Sequence, residues 1–330
     1  MRLSTMRGVV ETLDEKGWCA VAEETLAHWD SEPGSARFLR ASANFVFTFE
    51  GSGRGRVLRF NHSSERAPEP VRSEISYVNH LAAGGIHVAR PVRSLSGDYV
   101  VGARTTLGRF QAVVFEELVG RQLGVGEMTP EMLAAWGAAL GKLHEASRGY
   151  SGRGRRSWRD DLVMVAENLP PGERAARKTL RKLEEWLGWL PIDDRNFGLI
   201  HFDFEPDNII WNEGRPGVVD FDDSARYWIV ADIAFALRDL FDDNPDAVDP
   251  NNEAFVCFMD GYCSVRELEP DELGLVPTFL RMHNLLTFAK LHRALGANGP
   301  HDGPPWLEGL REKLSARMES YQEGFSRYAR

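Results

Sequence analysis

The sequence predicts an α+β protein with two lobes, a small β-rich N-terminal lobe that contains one helix and a larger, mostly helical C-terminal lobe. Two observations favour this bilobal fold. Strand-like apolar runs lie mainly in the first third of the chain, whereas apolar residues at helical spacing dominate after Gly120. The 330 residues are also enough to bury a substantial core. We therefore assign residues 1–118 to the N-lobe and residues 119–330 to the C-lobe.

Three short runs rich in Phe, Val and Leu lie within residues 34–60. Turn signals at residues 42–44 and 51–55 separate them, and this pattern is typical of an antiparallel meander. Residues 68–85 carry apolar side chains at helical spacing and end in two glycines, which predicts one helix after the third strand. The remaining strand-like runs are residues 98–103 and 110–119.

Helices dominate the predicted C-lobe. Thr129 and Pro130 have the residue types of an N-cap and a first helical residue. Another helix is predicted over residues 178–190, and apolar stripes continue through the last hundred residues. The basic segment at residues 153–159 has the charge to touch phosphate, but we interpret it as a solvated loop.

Composition excludes several classes of partner. The formal net charge of −10 argues against nucleic acid and against an anionic membrane surface, because both need clustered Lys and Arg. The three cysteines form no C-x-x-C pair, and such sparse use is typical of a reducing compartment. Neither a signal peptide nor a membrane-spanning apolar run is evident. We predict a cytoplasmic protein and leave its oligomeric state open.

The strongest functional signal is LIHFDFEPDNIIWNEGRPGVVDFDD, residues 199–223. Two apolar pieces within this segment predict a β-hairpin across NEGRPG. Asp203 and Asn208 precede the hairpin, and Asp220 follows it. Since a hairpin brings its two ends together, we expect these three side chains to converge.

Converging carboxylate and amide oxygens suit phosphoryl transfer. The transferring group carries spread negative charge, so its catalysis depends on positioning and electrostatic stabilisation. Mg²⁺ prefers oxygen ligands, and a further carboxylate has to orient the acceptor hydroxyl and take its proton. The cluster therefore predicts an ATP- and Mg²⁺-dependent kinase.

The order H-x-D-x-x-x-x-N, hairpin, D-F-D matches the catalytic loop and metal-binding turn of the kinase superfamily. On these motifs, and on GAALGKLHEA and YWIVADIAFALRDL, the chain resembles the aminoglycoside phosphotransferase / choline kinase-like family. Within that family it is most similar to bacterial phosphotransferases that include type II homoserine kinase and the stress-response Ser/Thr kinase. The resemblance covers roughly residues 35–325 and implies a protein-kinase-like fold with ATP and Mg²⁺ as cofactors.

The resemblance also implies a role for each matching residue. Asp203 is the implied catalytic base, Asn208 and Asp220 are the implied Mg²⁺ ligands, and His201 is implied to brace the catalytic loop. The implied nucleotide-binding residues are Ser42 and Asn44 in the phosphate-covering turn, Arg59 on the third strand, Glu74 on the following helix, and Glu116 and Leu118, whose backbone meets adenine at the hinge.

Two departures from the family pattern matter. Arg59 stands where lysine is usual, and arginine keeps the charge but differs in geometry. The turn of residues 42–44 lacks G-x-G-x-x-G, so phosphate binding there has to use the backbone N–H groups of residues 42–45. We interpret Arg59 as functional; the rival interpretation is a weak or inactive, nucleotide-binding pseudokinase.

The acceptor is predicted from what the C-lobe contains. No A-P-E motif follows Asp220, and the next helical pattern begins about ten residues later, too soon for a peptide-docking segment. These features favour a small-molecule hydroxyl acceptor such as an amino alcohol, an aminoglycoside or a homoserine-like compound, with a Ser/Thr protein kinase as the alternative. The acidic stretch of residues 239–253 either cradles an amine or, as we prefer, forms a solvated loop.

Structural explanations are predicted for three further residues, and a fourth stays open. Asp232 is predicted to be a structural partner of the catalytic loop. His144 and His283 lie on apolar helical faces and are predicted to be satisfied core histidines. Asp222 stays open between contact with metal or substrate and a hydrogen bond within its own turn.

Overall fold

The computed structural model describes residues 1–296 and 304–328, and it confirms a small β-rich lobe followed by a larger, mostly helical one. The predicted meander, the helix after it and the two later strands are all present. In chain order the N-lobe elements are α1 (Leu3–Val10), α2 (Ala20–Leu26), β1 (Arg37–Ala41), β2 (Phe45–Gly51), β3 (Arg54–His62), α3 (Pro68–Ala83), β4 (Pro91–Val92), β5 (Val101–Thr105) and β6 (Gly108–Glu116).

Six antiparallel strands form one sheet in the N-lobe, in the order β1-β2-β3-β6-β4, with β5 paired to β6. Alternation along β2 and β3 places phenylalanines on one face, where the Phe45 and Phe47 rings lie 5.3 and 5.7 Å from that of Phe60. Val57 and Arg59 of β3 line the cleft on the other face. The sheet therefore separates a hydrophobic core from a cleft that contains charged groups.

Two short helices, α1 and α2, precede the sheet and were not predicted, so the N-lobe has three helices instead of one. Leu3 and Met6 of α1 and Leu26 of α2 are buried in the N-lobe core. Each helix has about two turns, and an apolar stripe of that length is too short to give a periodic signal.

The C-lobe is built mainly from helices around one large core. Thr129 caps the first of them as predicted, since its hydroxyl accepts a hydrogen bond from the Met132 N–H (3.4 Å). No helix in the described part of the chain is both long and apolar enough to span a membrane. The elements are α4 (Pro130–Ser147), α5 (Trp158–Asn168), α6 (Arg174–Trp189), β7 (Phe197–Ile200), β8 (Ile209–Asn212), β9 (Arg215–Val218), β10 (Ala225–Trp228), α7 (Ile229–Ala236), α8 (Glu253–Cys263), α9 (Pro270–Leu273), α10 (Val276–Leu295) and α11 (Pro305–Tyr328).

Helices α4 and α8 pack backbone against backbone. A Cβ on Gly137 of α4 would overlap the Phe258 carbonyl of α8, and a Cβ on Gly261 of α8 would overlap the Ala134 carbonyl of α4. Only glycine permits this approach. The pair holds His144 in the core, where its two ring nitrogens bond to the Tyr262 hydroxyl and to Asp232, as predicted for a satisfied core histidine.

The last helix contacts both lobes. Leu307, near the start of α11, belongs to the core of the N-lobe. Tyr321 and Phe325, near its end, belong to the core of the C-lobe, where the Phe325 ring lies 5.3 Å from that of Phe288. The helix therefore makes a second connection between the lobes, far along the sequence from the hinge.

Candidate active site

The predicted hinge follows β6 directly. The Glu116 N–H donates to the carbonyl of Arg90 (2.8 Å). In the described part of the chain, the Leu118 N–H has no hydrogen-bond partner. Because an unpaired backbone donor at the rim of a cleft favours a ligand acceptor, Leu118 is suited to the ring nitrogen of a base.

The chain after the hinge docks on the β8–β9 hairpin. Gly120 has φ +145°, and a Cβ there would overlap the backbone carbonyl of Trp211. The next residue, Arg121, exchanges two backbone hydrogen bonds with Trp211 (3.0 and 2.8 Å). The hinge and the hairpin therefore form one hydrogen-bonded unit.

The hairpin brings Asp203, Asn208 and Asp220 together, as the sequence predicts. The Val219 N–H donates to the Asn208 carbonyl (3.0 Å), which places Asp220 beside Asn208. The Asn208 Nδ2 donates to the Asp203 carbonyl (2.9 Å) and to Asp203 Oδ2 (3.0 Å). Burial raises the pKa of Asp220, and the nearby charge of Asp203 adds to that rise.

Asp232 braces the loop that carries Asp203. Its carboxylate accepts hydrogen bonds from the backbone N–H groups of His201 (2.8 Å) and Phe202 (2.7 Å) and from His144 Nε2 (2.9 Å). The His201 Nδ1 accepts the Asp203 N–H (3.2 Å), so Nε2 carries the proton that is donated to the Val219 carbonyl (3.1 Å). The contacts predicted for Asp232 and His201 are present.

Two non-glycine residues with positive φ flank the site. Phe202 (φ +76°) directly precedes Asp203, and Asp220 (φ +62°) is itself a candidate ligand. Such conformations cost roughly 1–3 kcal/mol each and persist where surrounding contacts impose them. Here the hydrogen bond to Asp232 holds the Phe202 backbone in this conformation, and the direction of the next residue, Asp203, depends on it.

Sequence reasoning missed Arg238, which contacts the candidate base, and Glu205, which pairs with Arg238. The Arg238 Nη2 pairs with Asp203 Oδ1 (2.9 Å) and with Glu205, while Nη1 donates to the Phe235 carbonyl (2.9 Å). Only 7% of Arg238 is exposed. Burial, together with the charge of Asp203, raises the pKa of Glu205 to about 7. The sequence did contain a signal for a buried ion pair, because Arg238 directly follows the apolar run IVADIAFAL.

Arg59 lies where the sequence places it, in the cleft against Glu74. Its Nη2 bonds to Glu74 (2.6 Å), its Nη1 bonds to Asp220 (3.3 Å), and its guanidinium lies 5.2 Å from the centre of the Phe115 ring. Glu74 is 0% exposed. Burial alone would lower the pKa of Arg59, but Glu74 and Asp220 more than offset it and the pKa is raised. The strand-three cation is therefore permanently charged.

The turn at residues 42–44 contacts the turn after Asp220. The Asn44 Nδ2 donates to Asp222 Oδ2 (3.0 Å), and Arg66 also pairs with Asp222. The Ser42 N–H is bonded to the Asn44 carbonyl (3.0 Å) and is not free for phosphate. The Asn44 side chain thus ties the lobes together instead of facing a nucleotide. The Asp222 carboxylate pairs with these N-lobe residues and makes no hydrogen bond within its own turn among the described residues.

The segment at residues 153–159 is not the solvated loop that was predicted. Arg155 donates to the carbonyls of Asp222 (2.6 Å) and Ser224 (2.9 Å), and Arg156 pairs with Asp161 (2.7 Å). The carbonyls of the turn after Asp220 need donors, and these guanidinium groups supply them. The basic residues therefore fix the turn instead of touching phosphate.

Two other predictions have different outcomes. His283 is buried, but its Nδ1 has no hydrogen-bond partner among the described residues, so it is not a satisfied core histidine. The acidic stretch of residues 239–253 is mostly exposed, as predicted for a solvated loop, although Asp243 and Asp246 pair with Arg317 (2.6 Å) and Arg281 (3.1 Å). These ion pairs border a second cavity of about 310 Å³, which Asn284 also lines.

A cavity of about 650 Å³ lies between the lobes, with the hinge at one end and Asp220 at the other. Its walls are apolar and its Asp220 end is charged, an arrangement that suits a flat base followed by phosphates. The lining residues include Leu39, Arg40, Val46, Val57, Arg59, Ala89, Phe115, Glu116, Leu118, Ile210, Val219 and Asp220.

The residues at the charged end fit a hard divalent cation. Asn208 is 2% exposed, and its Oδ1 has no hydrogen-bond partner in the described part of the chain. A buried unpaired carbonyl oxygen is costly unless a ligand satisfies it. No cluster of three or more His, Cys, Asp or Glu residues suited to a metal occurs among residues 1–296 and 304–328. An amide and a carboxylate oxygen, completed by phosphates and water, are typical of Mg²⁺.

Comparisons with known proteins show the family and the fold of this chain. A family model described as "phosphotransferase enzyme family" matches residues 35–268. Amicoumacin kinase of Bacillus subtilis is 26% identical, over 84% of this chain and 86% of its own length. A homoserine kinase of Granulibacter bethesdensis is 29% identical, over 73% of this chain and 77% of its own length. The structure of an amicoumacin kinase in complex with AMP-PNP, Ca²⁺ and Ami has the same fold, with a TM-score of 0.76, 22% identity, and coverage of 94% of this chain and 95% of that one.

Proposed function

The chain belongs to the phosphotransferase enzyme family, and from this premise we propose that it transfers the γ-phosphate of ATP to a hydroxyl group of an amine-bearing small molecule. Membership confirms the predicted family, the kinase-like fold and the kinase activity, and kinases of this family use ATP. The acceptor class, the metal and the role of each residue are our proposals. The observation that carries them is the convergence of Asp203, Asn208 and Asp220 at the end of a cavity large enough for a nucleotide.

Asp203 is the proposed catalytic base. Asn208 and Arg238 hold its two oxygens in place, and an ionised carboxylate oxygen has a further lone pair to accept a proton. The acceptor hydroxyl gives its proton to Asp203 while its oxygen forms a bond to the γ-phosphorus. The bond from that phosphorus to the β–γ bridging oxygen breaks, and ADP leaves.

Asn208 Oδ1 and Asp220 are the proposed ligands of Mg²⁺. Both are oxygen donors, and the Asn208 oxygen is buried without another partner among the described residues. When bound, Mg²⁺ neutralises the charge that develops between the β- and γ-phosphates. The neighbouring Arg59 keeps a permanent positive charge at the same end of the cavity.

An amine-bearing acceptor is supported by the acidic residues beyond the base. Glu205 and Asp239 lie near Arg238, and Asp207 lies near those two carboxyl groups, so acidic groups outnumber the one arginine here. The second cavity contains Asp243, one of whose buried oxygens has no hydrogen-bond partner among the described residues. A buried carboxylate oxygen of this kind favours an ammonium donor. The names of two relatives, amicoumacin kinase and homoserine kinase, support the same acceptor class by analogy.

The proposal is tested by measuring ADP release with matched pairs of acceptors. Homoserine and 4-hydroxybutanoate form one pair, and an aminoglycoside and its N-acetylated form make another. We expect turnover with the free amine of at least one pair and at least about tenfold lower kcat/KM without it, since one charge-assisted contact is lost. Equal turnover of both members, or phosphorylation of a generic protein substrate instead, would contradict the acceptor class.

The role of Asp203 is tested separately with Asp203→Asn. We expect this variant to lose phosphoryl transfer to any acceptor while it keeps its affinity for ATP within about twofold, because the amide cannot take a proton. Nucleotide affinity is measured by calorimetry. Near-normal turnover in Asp203→Asn would reject the assignment.

A further inference from the structure

A β-bulge in β1 reverses the direction of Arg40. The pairing with β2 matches Phe38 to Phe47 and then Arg40 to Val46, so Leu39 has no partner and the register shifts by one. Phe47 points into the N-lobe core and Val46 lines the cleft. Without the bulge, Arg40 would lie opposite Phe45 and face the core.

With the bulge in place, both Leu39 and Arg40 line the nucleotide-sized cavity. Bulges commonly re-aim a side chain next to an active site. The backbone of β1 therefore directs Arg40 into the cleft, whichever rotamer its side chain adopts.

Arg40 ends against the candidate metal ligand. Its Nη2 lies 2.9 Å from Asp220 Oδ2, while Arg59 Nη1 lies 3.3 Å from the other oxygen, Oδ1. The two arginines thus occupy both oxygens of Asp220. A cation that binds Asp220 competes with both guanidinium groups for this carboxylate, because like charges at such short distances repel one another.

The two arginines differ in how easily they can leave. Arg59 is buried and is held by Glu74 as well as Asp220. Arg40 has a side chain that is 38% exposed, and its contact with Asp220 is the only hydrogen bond or ion pair of its guanidinium among the described residues. Arg40 is therefore the group that a bound cation displaces, and the cavity holds it within reach of whatever anion enters.

We propose that Arg40 is a second phosphate-binding cation, which neutralises Asp220 in the empty cleft and transfers to the β- or γ-phosphate when ATP and its metal bind. The turn of residues 42–44 has no positive charge of its own for this purpose, and its Ser42 N–H and Asn44 side chain are already bonded. A guanidinium on β1 supplies the positive charge that such a turn lacks. This inference rests on the proposed nucleotide and metal site.

The test compares nucleotides by direct binding, without an acceptor. Dissociation constants for ATP, ADP and AMP are measured by calorimetry in the presence of Mg²⁺ for the wild type and for Arg40→Gln. We expect Arg40→Gln to weaken ATP binding by about tenfold, as the loss of one charge-assisted contact does, and to leave AMP binding within about twofold. Arg40→Lys is expected to recover part of the lost ATP affinity.

Arg37→Gln is the matched control. Arg37 lies on the same strand, and its guanidinium donates to the Gly34 and Ala36 carbonyls (2.8 and 2.7 Å) instead of reaching the cleft. The Arg37→Gln change removes the same charge as Arg40→Gln, so any general electrostatic effect on ATP binding appears in both variants. We expect ATP affinity in Arg37→Gln to match the wild type.

Three outcomes overturn the proposal. Unchanged ATP affinity in Arg40→Gln shows that Arg40 does not hold phosphate. Tighter Mn²⁺ binding by Arg40→Gln without nucleotide, with ATP affinity intact, shows that Arg40 only neutralises Asp220. Equal losses in Arg37→Gln and Arg40→Gln show a general charge effect. If the wild type itself fails to bind Mg²⁺ and ATP together, the proposed nucleotide and metal site fails and this inference fails with it.

Discussion

Both carboxylate oxygens of Asp203 are engaged before any substrate is present, Oδ1 by Arg238 and Oδ2 by Asn208. A carboxylate that is held at both oxygens has lost its rotamer freedom in advance. The orientation of the proposed base is therefore supplied by its neighbours, and the acceptor hydroxyl does not have to impose it.

Arg238→Lys tests this positioning role. We expect kcat to fall by about ten- to a hundredfold, because lysine keeps the charge but cannot place fixed donors on Asp203, Glu205 and the Phe235 carbonyl together. The KM for ATP should stay within about twofold. Arg177→Lys, at a surface arginine that also donates to backbone carbonyls, is the control. A rise in KM for ATP at constant kcat would contradict the assignment.

Glu205 gives the fold a dependence on pH. Burial, with the charge of Asp203, raises the pKa of Glu205 from its ordinary value of 4.5 to about 7. Between these values the folded protein holds a proton that the unfolded chain has released, so stability falls as pH rises. We expect the wild type to lose on the order of 2 kcal/mol more than Glu205→Gln between about pH 5 and about pH 8. Urea unfolding at several pH values measures this, and parallel pH dependences would disprove it.

Arg59→Ala tests the strand-three cation. It leaves Glu74 buried without a partner, which costs roughly 3–5 kcal/mol of stability for a broken buried pair. ATP binding or turnover should also fall by about ten- to more than a hundredfold, and Arg59→Lys should recover part of it. The measurements are the urea midpoint and kcat/KM for ATP. Wild-type kinetics in Arg59→Ala would make Arg59 a structural residue only.

Sequence reasoning found the residues whose spacing is local. Asp203, Asn208 and Asp220 lie within eighteen positions of one another, and a hairpin of known geometry joins them. Arg238, which was missed, pairs with Asp203 from 35 positions away. A contact over that separation depends on how the elements of the C-lobe pack, and residue spacing alone does not indicate it.

At the scale of elements, the hairpin was predictable because its apolar pieces flank the turn residues NEGRPG, which favour only one local structure. The bulge in β1 was not predictable from the sequence. Two adjacent apolar residues interrupt the alternation of RFLRA, but this pattern alone does not indicate a bulge, and the register shift is seen only in the pairing with β2. The short helices α1 and α2 were missed for a related reason, since they are stabilised by burial against the sheet.

The close contact of α4 with α8 predicts the effect of Gly261→Ala. The added methyl group would overlap the Ala134 carbonyl, so we expect a loss of roughly 1–3 kcal/mol or more in the free energy of unfolding. Gly188→Ala in α6 is the matched control, because it meets no atom within 4 Å and should stabilise the helix by about 0.5–1 kcal/mol. Urea unfolding of both variants checks the prediction. Similar effects at the two sites would show that α8 can move to admit the methyl group.

At the scale of the whole molecule, the division into two lobes was visible in the sequence because strands and helices have different periods. The boundary at residue 118 stays a proposal. Its position agrees with the backbone pairing of Arg121 with β8, which already belongs to the C-lobe. The return of α11 to the N-lobe was not visible, because its stripe indicates a buried face without indicating the partner.

Leu307→Ala tests the attachment of α11 to the N-lobe. Leu307 is buried in the N-lobe core, so its truncation should cost about 2–4 kcal/mol of stability. Trp306→Ala, one position earlier and 38% exposed, should cost much less. Thermal or urea unfolding measures both. Equal effects would show that the start of α11 is not anchored in that core.

Helix α11 is fixed at both ends, by Leu307 in the core of the N-lobe and by Tyr321 and Phe325 in the core of the C-lobe. The Arg293–Glu65 pair (2.7 Å) adds a contact between the lobes close to its start. Any opening of the cleft that separates these two cores therefore has to bend α11 or draw Leu307 out of the N-lobe. The last helix of the described chain thus limits how far the nucleotide cleft opens.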